Sequence, residues 1–221
     1  MPRKAHLRPL GRKYGKHPGA TGVRCENVTM TMYLTGDAAA DELLESDDLA
    51  LLLGMLLDQQ VTMESAFAGP AKIRDRVGGL KADVLADFEP DALVEVFKQS
   101  PAVHRFPGSM AARVQSVCAA VRDDWGGDAS AIWTQGNPDG AEVLKRLKKL
   151  PGFGEQKAKI FLALLGKRRG LDAPGWREAS APYGDEGSLM SVADITSPET
   201  LARVRESKKA AKAAAKAAKE K

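Results

Sequence analysis

The chain is poor in the residues that build metal clusters and covalent staples. Its 221 residues include two cysteines, Cys25 and Cys118, and three histidines. The cysteines lie far apart without the paired spacing of metal ligands, which argues against a disulfide scaffold and against a zinc site. Long apolar runs are missing too. The longest, from Leu49 to Leu57, falls well short of the ~20 residues that cross a bilayer and suits a buried helix instead. The N-terminus is basic with no apolar stretch behind it, so no secretory signal is read. A cytoplasmic monomer without membrane contact is expected, and in a bacterial cell that compartment includes the nucleoid.

Charge is present but unevenly spread. The net charge is +4, yet residues 1–17 carry six Lys/Arg and no acid, and residues 201–221 carry eight Lys/Arg against Glu206 and Glu220. The stretch between them is net −8. An acidic body with two basic ends fits a protein that holds a polyanion by its arms and by a few local contacts. Three regions follow. Residues 1–34 form a basic arm without apolar periodicity, expected to be disordered; it serves as a nonspecific phosphate contact or is a solvated leader, with Met30 or Met32 the true start. Residues 35–200 form the folded domain, long enough for one core or for two small lobes sharing a groove. Residues 201–221 are a Lys/Ala-rich helix or tail with no apolar face wide enough to dock, read as a lysine-rich tether.

Helical periodicity dominates the middle. A short helix is expected over Asp37–Glu45, and a long one capped by Asp47 or Asp48 runs to about Ala68. Pro70 opens another helix, closed by Gly78-Gly79, and a further one spans Asp91–Lys98. Val114, Val117, Cys118 and Val121 form an apolar stripe, which makes Cys118 core. Trp125 and Trp133 are read as packing aromatics, and His104 as a surface or DNA-facing residue. Asn137-Pro138 signals a helix start, with Val143, Leu144, Leu147 and Leu150 on its apolar face. Pro151 stops that helix, Gly152 and Gly154 permit a tight bend, and Ala158, Phe161, Leu162 and Leu165 carry a second helix to Gly166. The product is a helix, a four-residue hairpin and a helix whose first amides form an anion site. Lysines flank it, and Lys157 and Lys159 follow it, which favours a phosphate backbone over an ordinary helix connection. Lys167, Arg168 and Arg169 suit the negative end of the second helix.

The stretch LPGFGEQKAKIFL resembles the helix-hairpin-helix of the HhH-GPD superfamily of base-excision DNA glycosylases, the group that contains endonuclease III. Gly170, Pro174 and Gly175 around Asp172 resemble its Gly/Pro-rich loop and aspartate, and LLLGMLLDQQVT resembles its second helix. The resemblance covers roughly residues 38–194. It implies an all-α, two-lobed glycosylase fold that hydrolyses the N-glycosidic bond of a flipped damaged or mispaired base in double-stranded DNA. Asp172 would be the catalytic carboxylate, with Asp185 and Asp194 as alternatives, and Arg177 occupies the place of the family's arginine five residues on. Departing from the family, Ala173-Pro174 replaces the aromatic or His residues usual after the aspartate. Gln60 would fill the gap left by the flipped nucleotide, while Asp58 lines the base pocket, caps a helix or is a paired surface carboxylate.

Gly152, Phe153, Gly154, Gln156 and Lys157 would hold DNA. Carbonyls near Leu150 and Gly152 would hold a monovalent cation, and with two cysteines no four-cysteine iron–sulfur cluster is expected. Bifunctional relatives carry a lysine where this chain has Gln156. Lys157, one helical step of about 100° further on, points elsewhere, so a monofunctional glycosylase is expected. The competing reading is a noncatalytic helix-hairpin-helix DNA-binding protein.

Overall fold

The computed structural model describes residues 32–219, and side chains through residue 213. The 1–34 arm therefore lies almost wholly outside the described residues. Its last residues do not behave as an arm, because Met32 and Leu34 are buried in the core. Asp41 holds that entry segment by accepting the amides of Leu34 and Thr35 at 3.1 and 3.0 Å.

The described residues form an all-α fold without strands. Helix α1 (Ala38–Ser46) is capped by Asp37 and α2 (Asp48–Leu57) by Asp47, each carboxylate accepting an amide of its helix's first turn. Every residue from Leu49 to Leu57 is buried, so α2 is the central rod. Burial of each such leucine contributes roughly 1.5–3 kcal/mol. Gly54 sits where a Cβ would lie 2.7 Å from the Phe67 ring, so the missing side chain lets the next helix close onto α2.

The expected long helix to Ala68 is broken in two. The Gln59 amide turns back to the Leu57 carbonyl at 2.7 Å, Gln60 adopts a left-handed φ of 57°, and Thr62 caps a new helix, α3 (Met63–Phe67). Of helices α4 (Gly69–Val77), α5 (Ala82–Ala86), α6 (Pro90–Lys98) and α7 (Pro107–Trp125), α4 and α7 pack on α2, while α5 and α6 pack on α7. Gly78 ends α4 in the left-handed conformation that glycine permits. Cys118 is fully buried on α7, and burial pushes its thiol up to about 12, so it is an inert core residue.

A short helix, α8 (Ala131–Thr134), follows α7. Asp139, not Asn137, caps α9 (Gly140–Lys149), and Asn137 instead takes a left-handed φ of 50° in the preceding turn. The hairpin joins α9 to α10 (Glu155–Arg168). Two ties show that α10 runs antiparallel to α2. Lys157 in its first turn reaches the end of α2, and Arg169 just after its last turn pairs with Asp48 at the start of α2. Gly166 does not end α10. A Cβ there would lie 2.4 Å from the Trp176 ring, so this glycine is the seat of α11 (Trp176–Ala179).

A 3-10 turn (Val192–Asp194) and α12 (Pro198–Lys219) complete the fold. Trp133 packs edge-on to Phe161 at 5.8 Å, and Trp125 lies under the Arg146 guanidinium at 5.2 Å, as packing aromatics.

Candidate nucleic-acid interface

The hairpin is built to leave amides open. Gly154 is the N-cap of α10 and provides no side chain to accept its first-turn N–H groups, whereas Asp or Thr caps α1, α2, α3 and α9. The first-turn amides of a helix have no acceptor within the helix itself, and they carry the positive end of its dipole. Phe153 is the anchor of the bend: it is 3% exposed and meets Phe161 edge-on at 5.9 Å. Gly152 takes φ 81° with the side chain of Leu56 close by, and a Cβ there would lie 2.8 Å from Leu56 Cδ1. The hairpin is thereby pressed against the last turn of α2. Around its rim Lys148 and Lys159 hold Glu155 at 3.2 and 3.3 Å. Hydrogen bonds from Lys148 first, then Lys159, keep that exposed carboxylate below its usual range.

Lys157 points into the protein. Its ammonium donates to the carbonyls of Met55, Leu56 and Asp58 at 2.8, 2.9 and 3.4 Å. A cation is favoured at those carbonyls because they form the negative end of α2. Burial pulls the amine down to about 8, with Asp58 pulling it back up and Arg113 adding to the fall. Lys157 is thus a strut between the hairpin helix and the turn that carries Gln60.

That turn is supported from the other side as well. The side-chain amide of Gln59 donates to the Leu56 carbonyl at 2.8 Å, and its oxygen accepts from Arg113. His104 was expected at the surface but is 3% exposed. Its Nδ1 accepts the Phe106 amide at 3.1 Å, which leaves Nε2–H to donate to the Gln59 carbonyl at 3.0 Å. Burial, the largest influence, lowers its pKa and favours the neutral ring. Gln59 and His104 are therefore internal braces, while Gln60 is left exposed at the tip. Beside it the 104–106 loop presents Phe106, 40% exposed, with Arg105 over its ring at 4.6 Å. Phe106 escaped sequence reasoning; the available signal was a large aromatic immediately before a proline-started helix.

Gln156 takes a different direction from Lys157. It is exposed, and its amide donates to the Tyr183 hydroxyl at 3.0 Å. α12 closes a further side: Arg205 pairs with Glu64 of α3, and Lys208 is near enough to Asp58 to act on its charge. A cleft of about 220 Å³ opens between α3 and α12, lined by Thr62, Met63, Glu64, Leu201, Val204 and Lys208 among others. The exposed Lys208, Lys209 and Lys212 thus leave the fold at the hairpin end.

Asp172 is not at this end. It is exposed and borders a small pocket with Trp133, Thr134, Asn137, Pro138 and Arg169. The neighbouring Pro174 carbonyl accepts the amide of Gly140 at the start of α9 at 2.8 Å, whereas the hairpin is at the end of α9. The ten residues of that helix separate them by about 15 Å. The expectation that Asp172 and the bend border one cleft is therefore corrected. The chain leaves α10 at its far end, and residues 170–176 fold back over Gly166 and Gly140 without returning to the hairpin.

The alternatives lie elsewhere too. Asp194 is buried, held by Lys167 at 2.6 Å and by the amides of Met190 and Ser191 at 2.9 and 3.0 Å. Asp185 is exposed, with its carbonyl accepting from Lys167. Arg177 stacks on Trp176 at 4.5 Å and donates to the Gly184 carbonyl. Lys167 and Arg169 are held in ion pairs and Arg168 is buried, so this basic run serves the fold. Among the described residues no group of His, Cys, Asp or Glu is placed to hold a metal ion.

The site is therefore an open helix N-terminus, a braced turn displaying a glutamine, and an exposed aromatic beside it. A family model described as HhH-GPD superfamily base excision DNA repair protein matches residues 53–221, from the middle of α2 through the hairpin to the C-terminus. No curated protein matches the chain. The match covers well over half the sequence and contains every element of this site except the N-terminal half of α2; the chain belongs to the HhH-GPD superfamily of base excision DNA repair proteins.

Proposed function

We propose that the protein is a monofunctional DNA glycosylase that hydrolyses the N-glycosidic bond of a damaged or mispaired base turned out of a DNA duplex. One observation carries this reading: Gln60 stands exposed on a left-handed turn that Lys157 fastens directly to the first turn of the hairpin helix. A group aimed at the base stack and a group aimed at a phosphate are thereby held as one rigid unit. A base inside a duplex is out of reach, so extrusion must come first. Gln60 fills the vacancy, with Phe106 beside it, while the amides of Gly154, Glu155 and Gln156 take a backbone phosphate. Gly152 and Phe153 set the bend.

The carbonyls of Leu150 and Gly152 are the proposed seat of a monovalent cation, whose charge would add to that phosphate grip. Leu150 O accepts one hydrogen bond, from Phe153 N at 3.1 Å, which leaves a lone pair for a hard ion. Gln156 is not a nucleophile, and the Lys157 amine is turned away into the end of α2, so no Schiff base forms. The protein works as a nucleoid-associated cytoplasmic monomer, and the lysines of α12 add a nonspecific hold on flanking DNA.

The position of Asp172, remote from the hairpin, favours a second reading: a noncatalytic helix-hairpin-helix DNA-binding protein. One experiment separates the two. Duplexes each carrying a single uracil, hypoxanthine, alkylated purine or oxidised base are incubated with the protein, and abasic sites are then cleaved with alkali. Strand breaks at one lesion class establish the enzyme; binding without breaks at any lesion establishes the alternative.

A further inference from the structure

We propose that Asp58 is the acid that serves the extruded nucleotide, donating a proton to the departing base and recovering one from the attacking water. The inference rests on the glycosylase reading and supplies the carboxyl group that Asp172 is too remote to be.

Three observations carry it. The first is position. Asp58 is the C-cap residue of α2, two residues before the exposed Gln60, and its own carbonyl is gripped by Lys157 from the hairpin helix. The second is the lack of a structural task. Every other buried or half-buried carboxylate among the described residues is engaged. Asp41, Glu45 and Asp47 accept backbone amides. Asp48, Glu64, Glu142 and Asp194 pair with Arg169, Arg205, Arg146 and Lys167. The half-buried Asp58 carboxylate has no hydrogen bond and no ion pair among the described residues, and the nearby Lys157 spends its donors on carbonyls. A desolvated acid left unpartnered beside the base-extruding turn is the arrangement expected of a reacting group.

The third observation is the balance of charges around it. Lys157 of α10 and Lys208 of α12 pull its pKa down and Glu64 of α3 pushes it up, but burial outweighs them and leaves it raised. Asp58 therefore keeps its proton at higher pH than an ordinary aspartate, as a general acid requires.

The step balances. The C1′–N bond breaks with its electron pair going to the base nitrogen, and the Asp58 proton goes to the departing base. Water forms the new C1′–O bond, and its released proton returns to the Asp58 carboxylate. A base that leaves as an anion needs that proton, whereas a cationic N-alkylated purine leaves as a neutral molecule without it. The substrate class is thus a neutral base, deaminated or mispaired.

The test measures single-turnover base release by the full chain, Asp58→Asn, Asp58→Glu and Asp172→Asn from pH 5 to 9, on duplexes carrying a neutral lesion or 7-methylguanine. Affinity for an abasic-analogue duplex is measured alongside. Asp58→Asn is expected to lose roughly 10²–10⁴-fold on the neutral base with affinity unchanged, and to lose the fall in rate as pH rises past the acid's pKa. Asp58→Glu should recover part of the rate, and Asp172→Asn should match the native chain. An active native chain whose Asp58→Asn variant releases the neutral base at full rate overturns the Asp58 assignment and leaves the glycosylase reading standing. A native chain that releases no base overturns both.

Discussion

Replacing Lys157 by methionine removes the strut between the hairpin helix and the Gln60 turn while keeping the volume of the aliphatic stem. Three carbonyl hydrogen bonds disappear, at 2.8, 2.9 and 3.4 Å. Bonds to a charged donor contribute about 1.5–3 kcal/mol each, and the cost of burying the ammonium offsets much of that sum. A net loss of about 2 kcal/mol is expected, which for a chain of this size lowers Tm by roughly 4–8 °C.

The pH dependence has a definite sign. The folded amine titrates at about 8 against an ordinary 10.5, so between those values the unfolded chain binds more protons and the contribution of this group to stability rises with pH. Below 8 both states are charged and the burial cost is fully present. The native chain should therefore gain on Lys157→Met as pH is raised through that window. Calorimetry from pH 7 to 10.5 measures it, with hydrogen exchange at the Gln59 and Gln60 amides reporting the turn. An unchanged Tm with unchanged exchange at those amides would refute the strut.

Other outcomes follow from the same geometry. Gln60→Gly relieves a left-handed backbone worth about 1 kcal/mol, so chemical denaturation should show equal or greater stability while base extrusion, followed by 2-aminopurine fluorescence opposite the gap, is lost. Borohydride added during turnover should trap no covalent protein–DNA adduct, because Gln156 has no amine and Lys157 faces α2. Deleting residues 207–221 removes Lys208, Lys209 and Lys212 from the hairpin end; binding to undamaged duplex should weaken, and the slope of log K against log salt should flatten by roughly 0.9 for each phosphate no longer neutralised.

Local signals were read well wherever they act over one or two turns. The hairpin, the core position of Cys118, the Asp47 cap and the Gly78 stop depend on neighbouring residues alone, and the structure has each in place. Signals that depend on distant packing were read less well. Gly166 looked like a helix stop, but it is the place where Trp176 lies on α10. His104 looked exposed because it is polar, and Lys167 and Arg169 were read as serving the end of their own helix, yet their partners come from residues far away in the chain, Gln59, Asp194 and Asp48.

Asp172 shows the limit most sharply. Its distance along the chain from the hairpin is suitable, but sequence spacing does not say whether the chain after α10 returns to the hairpin or folds over the far end. Asp58 was in view as a pocket or capping residue. Only the coordinates show its carboxylate without a hydrogen bond or ion pair among the described residues.

The most direct measurement is a crystal structure of the protein on a duplex containing one abasic-site analogue. A backbone phosphate should lie within hydrogen-bond distance of the Gly154–Gln156 amides, with Gln60 inside the vacated stack and the Asp58 carboxyl facing the sugar. A duplex seated against Asp172 and the start of α9, with the hairpin and Gln60 in solvent, would contradict this placement.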